Sequence, residues 1–386
     1  MDSSAQAGAF GVGAAAAAAI NMGPDEPLAG SQEEGRDDEL VSGPGHIPMA
    51  QRLSLESWGS GSMPSMPDVD DNSGIDVFGS ESGSSRYSTT SVESSIYHYI
   101  EENGRTYHRF KEGKYPLPND QQEQDRLDLQ HALFVITTHG KLFLAPIGED
   151  VRNILDIATG TGVWAIEIAQ QFPNAHVIGT DLSPIQPQYV PANCHFEIDD
   201  AEDEWTFSTK FDYIHGRALL SCFKDPSAVI RQACDALAPG GYLEFQDGVF
   251  PMQFAGDGAP ANCALRRWNE LVLEGAARTG RPWTNTQHYK RCFEEAGLEN
   301  VVERRFYWPV SPWAKGKYYK TVATFFREDM LSGLDAASLK ILGALGWSVD
   351  AIRDFLLEVR KDFHDPSINA YLQIAFVYGR KPGSVV

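Results

Sequence analysis

Short apolar runs recur between residues 151 and 246, separated by segments with helical periodicity. The apolar runs predict strands at residues 153–158, 175–179, 194–198, 211–215 and 242–246. The intervening segments predict helices at residues 163–171 and 226–237 and a short helix at 184–189. Strands that alternate with crossover helices favour a mostly parallel, doubly wound α/β sheet. In such a sheet, ligands bind beyond the carboxyl ends of the strands.

Helical segments are predicted on both sides of this core. Before it, Asn119 or Asp120 can cap a helix that runs to about His139. After it we expect helices at 261–279 and 285–296 and a strand at 301–310. The last predicted elements are helices at 317–330, 336–345 and 348–363 and a strand at 370–378. Residues 311–366 therefore form a long helical segment between the last two strands.

The first 94 residues differ in composition from the rest of the chain. They combine an alanine run, many Gly, Ser and Pro residues, and acidic clusters, with 15 Asp or Glu, 3 Arg and no Lys. This segment therefore carries −12 of the formal net charge of −21. Because it has too little apolar surface to offset the entropy of ordering, we expect a disordered acidic tail. Such a tail suits the binding of protein partners.

Charge and cysteine content exclude several classes of function. A chain with an isoelectric point of about 4.8 is poorly suited to binding a phosphate backbone, so we expect no nucleic-acid partner. The apolar run at residues 13–20 is too short to span a bilayer and has no basic residue near it, so we expect neither secretion nor membrane insertion. Five cysteines without a CxxC pair favour a reducing compartment and no metal site.

The candidate chemistry lies at the turn that follows the first predicted strand. Gly160, Gly162 and Ala165, with Asp181 further along, fit a degenerate dinucleotide fingerprint, which leaves a dehydrogenase as one interpretation. Asp156 argues against it, because a carboxylate within the strand would repel a pyrophosphate and can instead accept hydrogen bonds from an ammonium group. Asp199 or Asp200, after the third strand, can accept a hydrogen bond from an adenine amino group.

Together these features resemble the class I S-adenosylmethionine-dependent methyltransferases, and more narrowly the LaeA-like fungal family. The resemblance extends over residues 96–383 and is carried by residues 115–128, 155–162, 180–184, 200–203, 211–215, 239–244 and 377–382. It implies S-adenosyl-L-methionine as cofactor. The implied fold is a Rossmann-like, mostly parallel seven-stranded sheet with helical cap insertions.

The resemblance also assigns cofactor-binding residues. It implies that Asp156, Gly160 and Gly162 border the methionine portion and that Asp181 holds the ribose hydroxyls. Leu182, Asp200 and Ala201 would contact the adenine. Ala158 belongs to the same predicted site, although the superfamily usually has glycine there, because glycine lets the backbone approach the ligand freely.

Methyl transfer from a sulfonium is an in-line displacement, so alignment of the acceptor and exclusion of water matter more than any one catalytic side chain. His215, at the end of the fourth predicted strand, is the candidate catalytic residue, because it would face the methyl group and could act as a base. A structural role is the equal alternative for this histidine. Arg217, Glu244 and Asp247 are lesser candidates for orienting an acceptor.

The acceptor site is expected to involve the long helical segment. In the superfamily the sixth and seventh strands normally form a close hairpin, whereas here residues 311–366 intervene. We expect this insertion to shape the acceptor cavity, and Trp283, Trp308, Trp313 and Tyr318 to line or support it. A mostly apolar cavity would suit a small organic acceptor better than a protein tail.

Two functions stay open, with the dehydrogenase a distant third. The first is a small-molecule methyltransferase that acts on oxygen or nitrogen of a fungal secondary metabolite in the cytoplasm. The second is a LaeA-like regulator that acts through partner proteins, in the nucleus, with methylation of itself or another protein. The predicted organisation is a tail (1–94), a cap of lid helices (95–150), a cofactor-binding core (151–247) and a substrate cap (248–386).

Overall fold

The computed structural model of the chain describes residues 99–256, 259–260 and 262–383. The tail predicted at residues 1–94 lies outside the described residues. The strands are β1 (Ile100–Glu102), β2 (Arg105–Tyr107), β3 (Asn153–Ile157), β4 (His176–Asp181), β5 (Cys194–Ile198), β6 (Phe211–Arg217), β7 (Leu237–Phe254), β8 (Glu299–Pro309) and β9 (Ala370–Arg380). The helices are α1 (Gln121–Thr137), α2 (Val163–Gln171), α3 (Pro226–Ala236), α4 (Ala264–Arg278), α5 (Tyr289–Glu295), α6 (Lys317–Gly343) and α7 (Val349–His364), with a 3₁₀ helix at Trp283–His288.

The predicted doubly wound sheet is confirmed. Seven strands pair in the order β5-β4-β3-β6-β7-β9-β8. All pairs from β5 to β7 are parallel, and β9 pairs antiparallel with both β7 and β8. The strand order reverses between β3 and β6, where Asp156 lies opposite His215. A crevice at such a reversal is the usual ligand site of this architecture.

Local sequence explains where the two helices nearest this crevice begin. The Asp120 side chain accepts a hydrogen bond from the backbone N–H of Glu123 (3.1 Å) and so caps α1. Helix α2 follows Gly162, which has a φ of 78° and no side-chain cap. Its buried residues Trp164, Ala165, Ile168 and Ala169 lie on one face and pack against the sheet.

The core divides into apolar clusters on the sheet and beneath the insertion. The largest cluster joins α1, α4, α6 and α7 to strands β7, β8 and β9. Helices α6 and α7 come from the predicted insertion between the last two strands, and they therefore supply much of this cluster. The insertion is thus part of the hydrophobic core, next to the strand ends that carry the predicted site.

Four predicted regions differ in the structure. Residues 184–189 have no regular secondary structure, because Pro184 and Pro187 restrict the backbone and Pro187 removes an N–H donor. Residues 285–296 divide into the end of the 3₁₀ helix and α5. The two helices predicted at 317–330 and 336–345 are the single helix α6, which continues through Gly333. The cap at 95–150, predicted as helices, begins with the β1–β2 hairpin.

Neither a membrane-spanning helix nor a metal site is present in the described part of the chain. No helix there has the length and apolarity needed to cross a membrane. The same residues contain no group of three or more His, Cys, Asp or Glu side chains arranged to hold a metal ion.

Candidate cofactor and acceptor sites

The glycine turn after β3 has positive φ angles, which residues other than glycine rarely adopt. Ala158, Gly160 and Gly162 have φ values of 52°, 60° and 78°. The Thr159 N–H donates to the Thr180 carbonyl (2.9 Å) and so ties the turn to the next strand. A Cβ on Gly162 would lie 2.3 Å from the Phe196 ring, so the turn has no room for a side chain there.

Asp156 is held by two neighbours at the base of the turn. One carboxylate oxygen lies 2.7 Å from His215 Nδ1, and the other accepts from the Thr159 hydroxyl at 2.5 Å. The His215 ring stacks on Trp164 with centroids 3.7 Å apart. Burial lowers the pKa of His215, and its hydrogen bond to Asp156 opposes this shift. A neutral His215 then donates from Nδ1 to Asp156, and its Nε2 has no partner among the described residues.

Asp181, at the end of β4, anchors two backbone segments. Its carboxylate accepts from the backbone N–H groups of Gly160 (2.8 Å) and Ser183 (2.9 Å). Burial raises the pKa of Asp181 to about 6, although these hydrogen bonds favour the ionised form. The carboxylate therefore connects the glycine turn to the segment that contains Leu182.

Residues 111–114, which carry Lys111 and Lys114 and were not among the predicted site residues, cross the end of β5. Lys114 forms an ion pair with Asp200 and another with Glu202 (3.0 Å). Lys111 pairs with Asp203 at 2.7 Å. The contacts hold residues 111–114 against the acidic loop after β5. Sequence spacing gives no signal for them, because the partners are about 90 residues apart.

These strand ends surround a concavity that we call the strand-end cleft. It encloses about 1110 Å³, counted out to its open mouth. Seven of the eight predicted cofactor residues line it, and Gly162 does not: Asp156, Ala158, Gly160, Asp181, Leu182, Asp200 and Ala201. Asp199, His215 and Arg217 line it as well. The structure therefore brings the predicted residues together, and their roles in binding stay predictions.

A second concavity, the aromatic cavity, adjoins the cleft and encloses about 870 Å³. Tyr115, Leu127, Gln130 and Ala218 line both spaces. The ring-bearing residues of the aromatic cavity are Tyr115, Phe134, Phe250, Trp268, Trp283, Trp308 and Phe326. The residues shared by both linings join the two spaces, so that a ligand in one would be next to a ligand in the other.

The indole N–H groups of the aromatic cavity already have partners. Trp268 donates to Ser338 (2.9 Å), Trp308 donates to Thr137 (2.7 Å), and Trp283 donates to Ser221. These hydrogen bonds fix the orientation of the indole rings. The indoles therefore offer a ligand mainly their apolar rings.

Few charged groups reach the aromatic cavity. Asp247 accepts from the Tyr289 hydroxyl (3.1 Å) and the Gly248 N–H (2.8 Å), and burial raises its pKa to about 7. Arg126 pairs with Glu123 and Asp329, both at 2.7 Å. That buried triad joins α1 to α6 across the cavity.

Comparison with known proteins identifies the family. Residues 129–303 match a family described as a methyltransferase domain. The methyltransferase pytC of Aspergillus terreus is 34% identical over 297 residues, which are 76% of this chain and 92% of that protein. The chain belongs to the LaeA-like family of class I S-adenosylmethionine-dependent methyltransferases. The secondary metabolism regulator laeA of Aspergillus niger is 33% identical over 81% of this chain and 84% of its own. The probable methyltransferase tdiE of Emericella nidulans is 30% identical over 76% and 92%.

The chain is therefore a methyltransferase whose cofactor is S-adenosyl-L-methionine, and its strand-end cleft fits that molecule. The cleft offers carboxylates at the ends of β3, β4 and β5, and the cofactor carries an ammonium group, ribose hydroxyls and an adenine amino group as hydrogen-bond donors. The positive φ values of the glycine turn let the backbone approach a ligand closely.

The predicted acceptor residues of this methyltransferase divide between several places. Trp283 and Trp308 line the aromatic cavity, whereas Trp313 and Tyr318 line neither space: Trp313 donates to the Ala370 carbonyl and Tyr318 to the Thr137 carbonyl. Arg217 lines the cleft and Asp247 the aromatic cavity. Glu244 lines neither, because its carboxylate accepts from the backbone N–H groups of Leu144 and Ala145.

Proposed function

We propose that this methyltransferase transfers the methyl group of its cofactor to an oxygen or nitrogen of a small organic acceptor, in fungal secondary metabolism. The observation that carries the proposal is the aromatic cavity, which adjoins the strand-end cleft through shared lining residues. An apolar, ring-lined space next to a cofactor site favours a compact acceptor with aromatic or aliphatic surface. The small-molecule partner is thus proposed from the lining of the cavity.

The proposed division of labour follows the chain. Residues 95–150 act as a lid, residues 151–247 bind the cofactor, and residues 248–386 shape the acceptor cavity. In the cleft, Asp156 accepts hydrogen bonds from the methionine ammonium group, Asp181 from the ribose hydroxyls and Asp200 from the adenine amino group. Gly160, Gly162 and Ala158 shape the turn, and Leu182 and Ala201 pack beside the adenine.

The bound cofactor supplies an electrophilic methyl group on a sulfonium sulfur. The protein's part is to align the acceptor, exclude water and, for a hydroxyl or protonated amine, remove a proton. Asp247 supports the last step by its place in the aromatic cavity and by its pKa of about 7. His215 lines the cleft but not the aromatic cavity. Its predicted role as a base therefore requires its Nε2 to reach the acceptor from the cleft.

The experiment that tests this proposal is metabolite profiling of the source fungus after deletion of the gene. Accumulation of one compound that lacks a methyl group, and its disappearance on reintroduction of the gene, supports a pathway enzyme. Loss of many unrelated products without such an accumulating compound contradicts it. That outcome favours the alternative role, a regulator like laeA that acts through protein partners.

A further inference from the structure

Arg217, the last residue of β6, has an unusual environment. Its Nη2 donates to His131 Nδ1 (2.8 Å), and its guanidinium carbon lies 4.9 Å from the centre of the Phe134 ring. Burial lowers the pKa of Arg217 to about 10, while Asp156 and Glu167 act from a distance in the opposite direction. Arg217 is nevertheless partly exposed by accessible surface, so its guanidinium is a partly hydrated cation at the edge of the cleft.

The hydrogen bond to His131 fixes the state of that histidine. An arginine can only donate, so His131 Nδ1 must accept, and the proton of the neutral ring lies on Nε2. His131 Nε2 in turn lies 3.1 Å from a carboxylate oxygen of Glu167. Burial also lowers the pKa of His131. Arg217 therefore donates a hydrogen bond to a neutral side chain, and His131 does not balance its positive charge.

No Asp or Glu forms an ion pair with Arg217 among the residues described by the structure. Its remaining N–H groups have no hydrogen-bond partner there either. Removing a cation from water without an opposite charge is costly, and an anion that binds beside it recovers much of that cost. Arg217 lines the strand-end cleft and is its one lysine or arginine within the described residues. The negative group of a ligand bound in the cleft would supply an opposite charge to Arg217.

The carboxylate of Asp156, close to Arg217, indicates which kind of ligand would bring a negative group to this end of the cleft. Asp156 lines the same cleft from β3, the strand next to β6, and lies opposite His215, two residues before Arg217. One end of the cleft therefore presents a carboxylate and a guanidinium on adjacent strand ends. This pair of opposite charges is complementary to the ammonium and carboxylate groups of an α-amino acid.

We propose that Arg217 binds the α-carboxylate of the methionine portion of S-adenosyl-L-methionine. Neutral His131, fixed by Glu167, is then a positioning residue that orients the guanidinium. Arg217 itself does not line the aromatic cavity, although Phe134, over which its guanidinium lies, does. The inference therefore depends on the cofactor and is independent of the acceptor proposed above.

The test compares two ligands by calorimetry. S-adenosylhomocysteine carries the amino-acid end, whereas 5′-methylthioadenosine stops just beyond the sulfur and lacks it. In Arg217→Met we expect the affinity for S-adenosylhomocysteine to fall by roughly 10- to 100-fold, since a charge-assisted hydrogen-bond pair is lost. The affinity for methylthioadenosine should change by less than about 3-fold, because its contacts are untouched. The control is Arg305→Met, which removes an arginine from edge strand β8 and should affect neither ligand.

Equal losses for the two ligands, or no loss for either, would overturn the proposal. The second of these outcomes would point to a carboxylate on the acceptor instead. If Arg217→Met does not fold, Arg217→Lys serves, because it keeps the charge and loses the planar fork. Arg217→Lys should weaken the binding of S-adenosylhomocysteine more than that of methylthioadenosine. If the ratio of these two affinities is the same as in wild type, the assignment is contradicted.

Discussion

At the scale of single residues, Ala158 occupies a position where the methyltransferase superfamily usually has glycine. Its φ of 52° is in the left-handed region, which is sterically disfavoured for residues with a Cβ and is readily adopted by glycine. The structure thus gives a physical reason for the glycine that the superfamily usually has here. The family pattern predicted only that glycine would let the backbone approach the ligand freely, whereas the positive φ of Ala158 is evident from the structure alone.

Replacing Ala158 with glycine should therefore stabilise the protein. Relief of the backbone strain outweighs the greater entropy of the unfolded chain, and we expect the free energy of unfolding to rise by about 0.5–1 kcal/mol. Urea unfolding measures it. Ala165→Gly, within the regular turns of α2, is the control and should lower the free energy of unfolding, so a loss at both positions would show that Ala158 is unstrained.

The pKa of Asp181 predicts how cofactor binding depends on pH. Because the folded value of about 6 exceeds the ordinary 3.8, the native state holds the proton more tightly than the unfolded chain. The contribution of Asp181 to stability is then greatest at low pH and is lost as pH rises through this window. Ribose hydroxyls donate to the ionised carboxylate, so ligand binding opposes protonation and its affinity should rise with pH.

We therefore expect the affinity for S-adenosylhomocysteine to rise as pH increases through about 6, measured by calorimetry. Asp181→Asn should bind more weakly and lose most of this dependence, because its amide does not titrate. A variant that keeps both the wild-type affinity and the wild-type pH profile would remove Asp181 from the site.

At the scale of elements, the sheet and its acidic strand ends were predictable, because apolar runs and carboxyl ends are local features of sequence. The partners of those acids were not. The ion pair of Lys114 with Asp200 and the hydrogen bond between Arg217 and His131 depend on how residues 111–114 and helix α1 fold across the cleft. Such contacts join residues far apart in the chain, and no periodicity marks them.

Helix α6 is continuous where two helices were predicted, and it includes Gly333. A Cβ at Gly333 would lie 2.9 Å from Arg126 Cδ. Glycine is needed for the close approach of the buried Arg126, which pairs with Asp329 on the same helix. The residue thus serves the packing of α1 against α6.

Two effects oppose each other in Gly333→Ala. Helix propensity favours alanine by about 1 kcal/mol, while forcing Arg126 from its two ion pairs costs about 1–3 kcal/mol. We expect the second to win, with a net loss of roughly 1 kcal/mol in denaturant unfolding. Gly343→Ala at the end of the same helix has open space around its Cβ and should be stabilising or neutral. A gain at Gly333 comparable to that at Gly343 would mean that Arg126 moves without cost.

At the scale of the whole molecule, the insertion between β8 and β9 adds helices that line the aromatic cavity, the proposed acceptor space. Helix α6 provides one wall of the aromatic cavity, and α1 lies between that cavity and the cleft. The end of β6 lines the cleft, whereas β7 lines the aromatic cavity. The presence of the insertion was evident from the length of residues 311–366. Which aromatics face the cavity was not, since Trp308 does and Trp313 does not.

The most direct test of a small-molecule acceptor in the aromatic cavity uses Ala337, which lines that cavity from α6 and is absent from the cleft lining. Purified wild type, Ala337→Phe and the exposed control Ala344→Phe are each given methyl-labelled S-adenosylmethionine and the compound that accumulates on gene deletion. We expect a labelled small-molecule product from wild type and control, as an acceptor site in the aromatic cavity requires. Ala337→Phe should lose at least about 10-fold in rate with unchanged affinity for S-adenosylhomocysteine, since a ring fills the acceptor space. Label found only on protein, or a wild-type rate in Ala337→Phe, would contradict it.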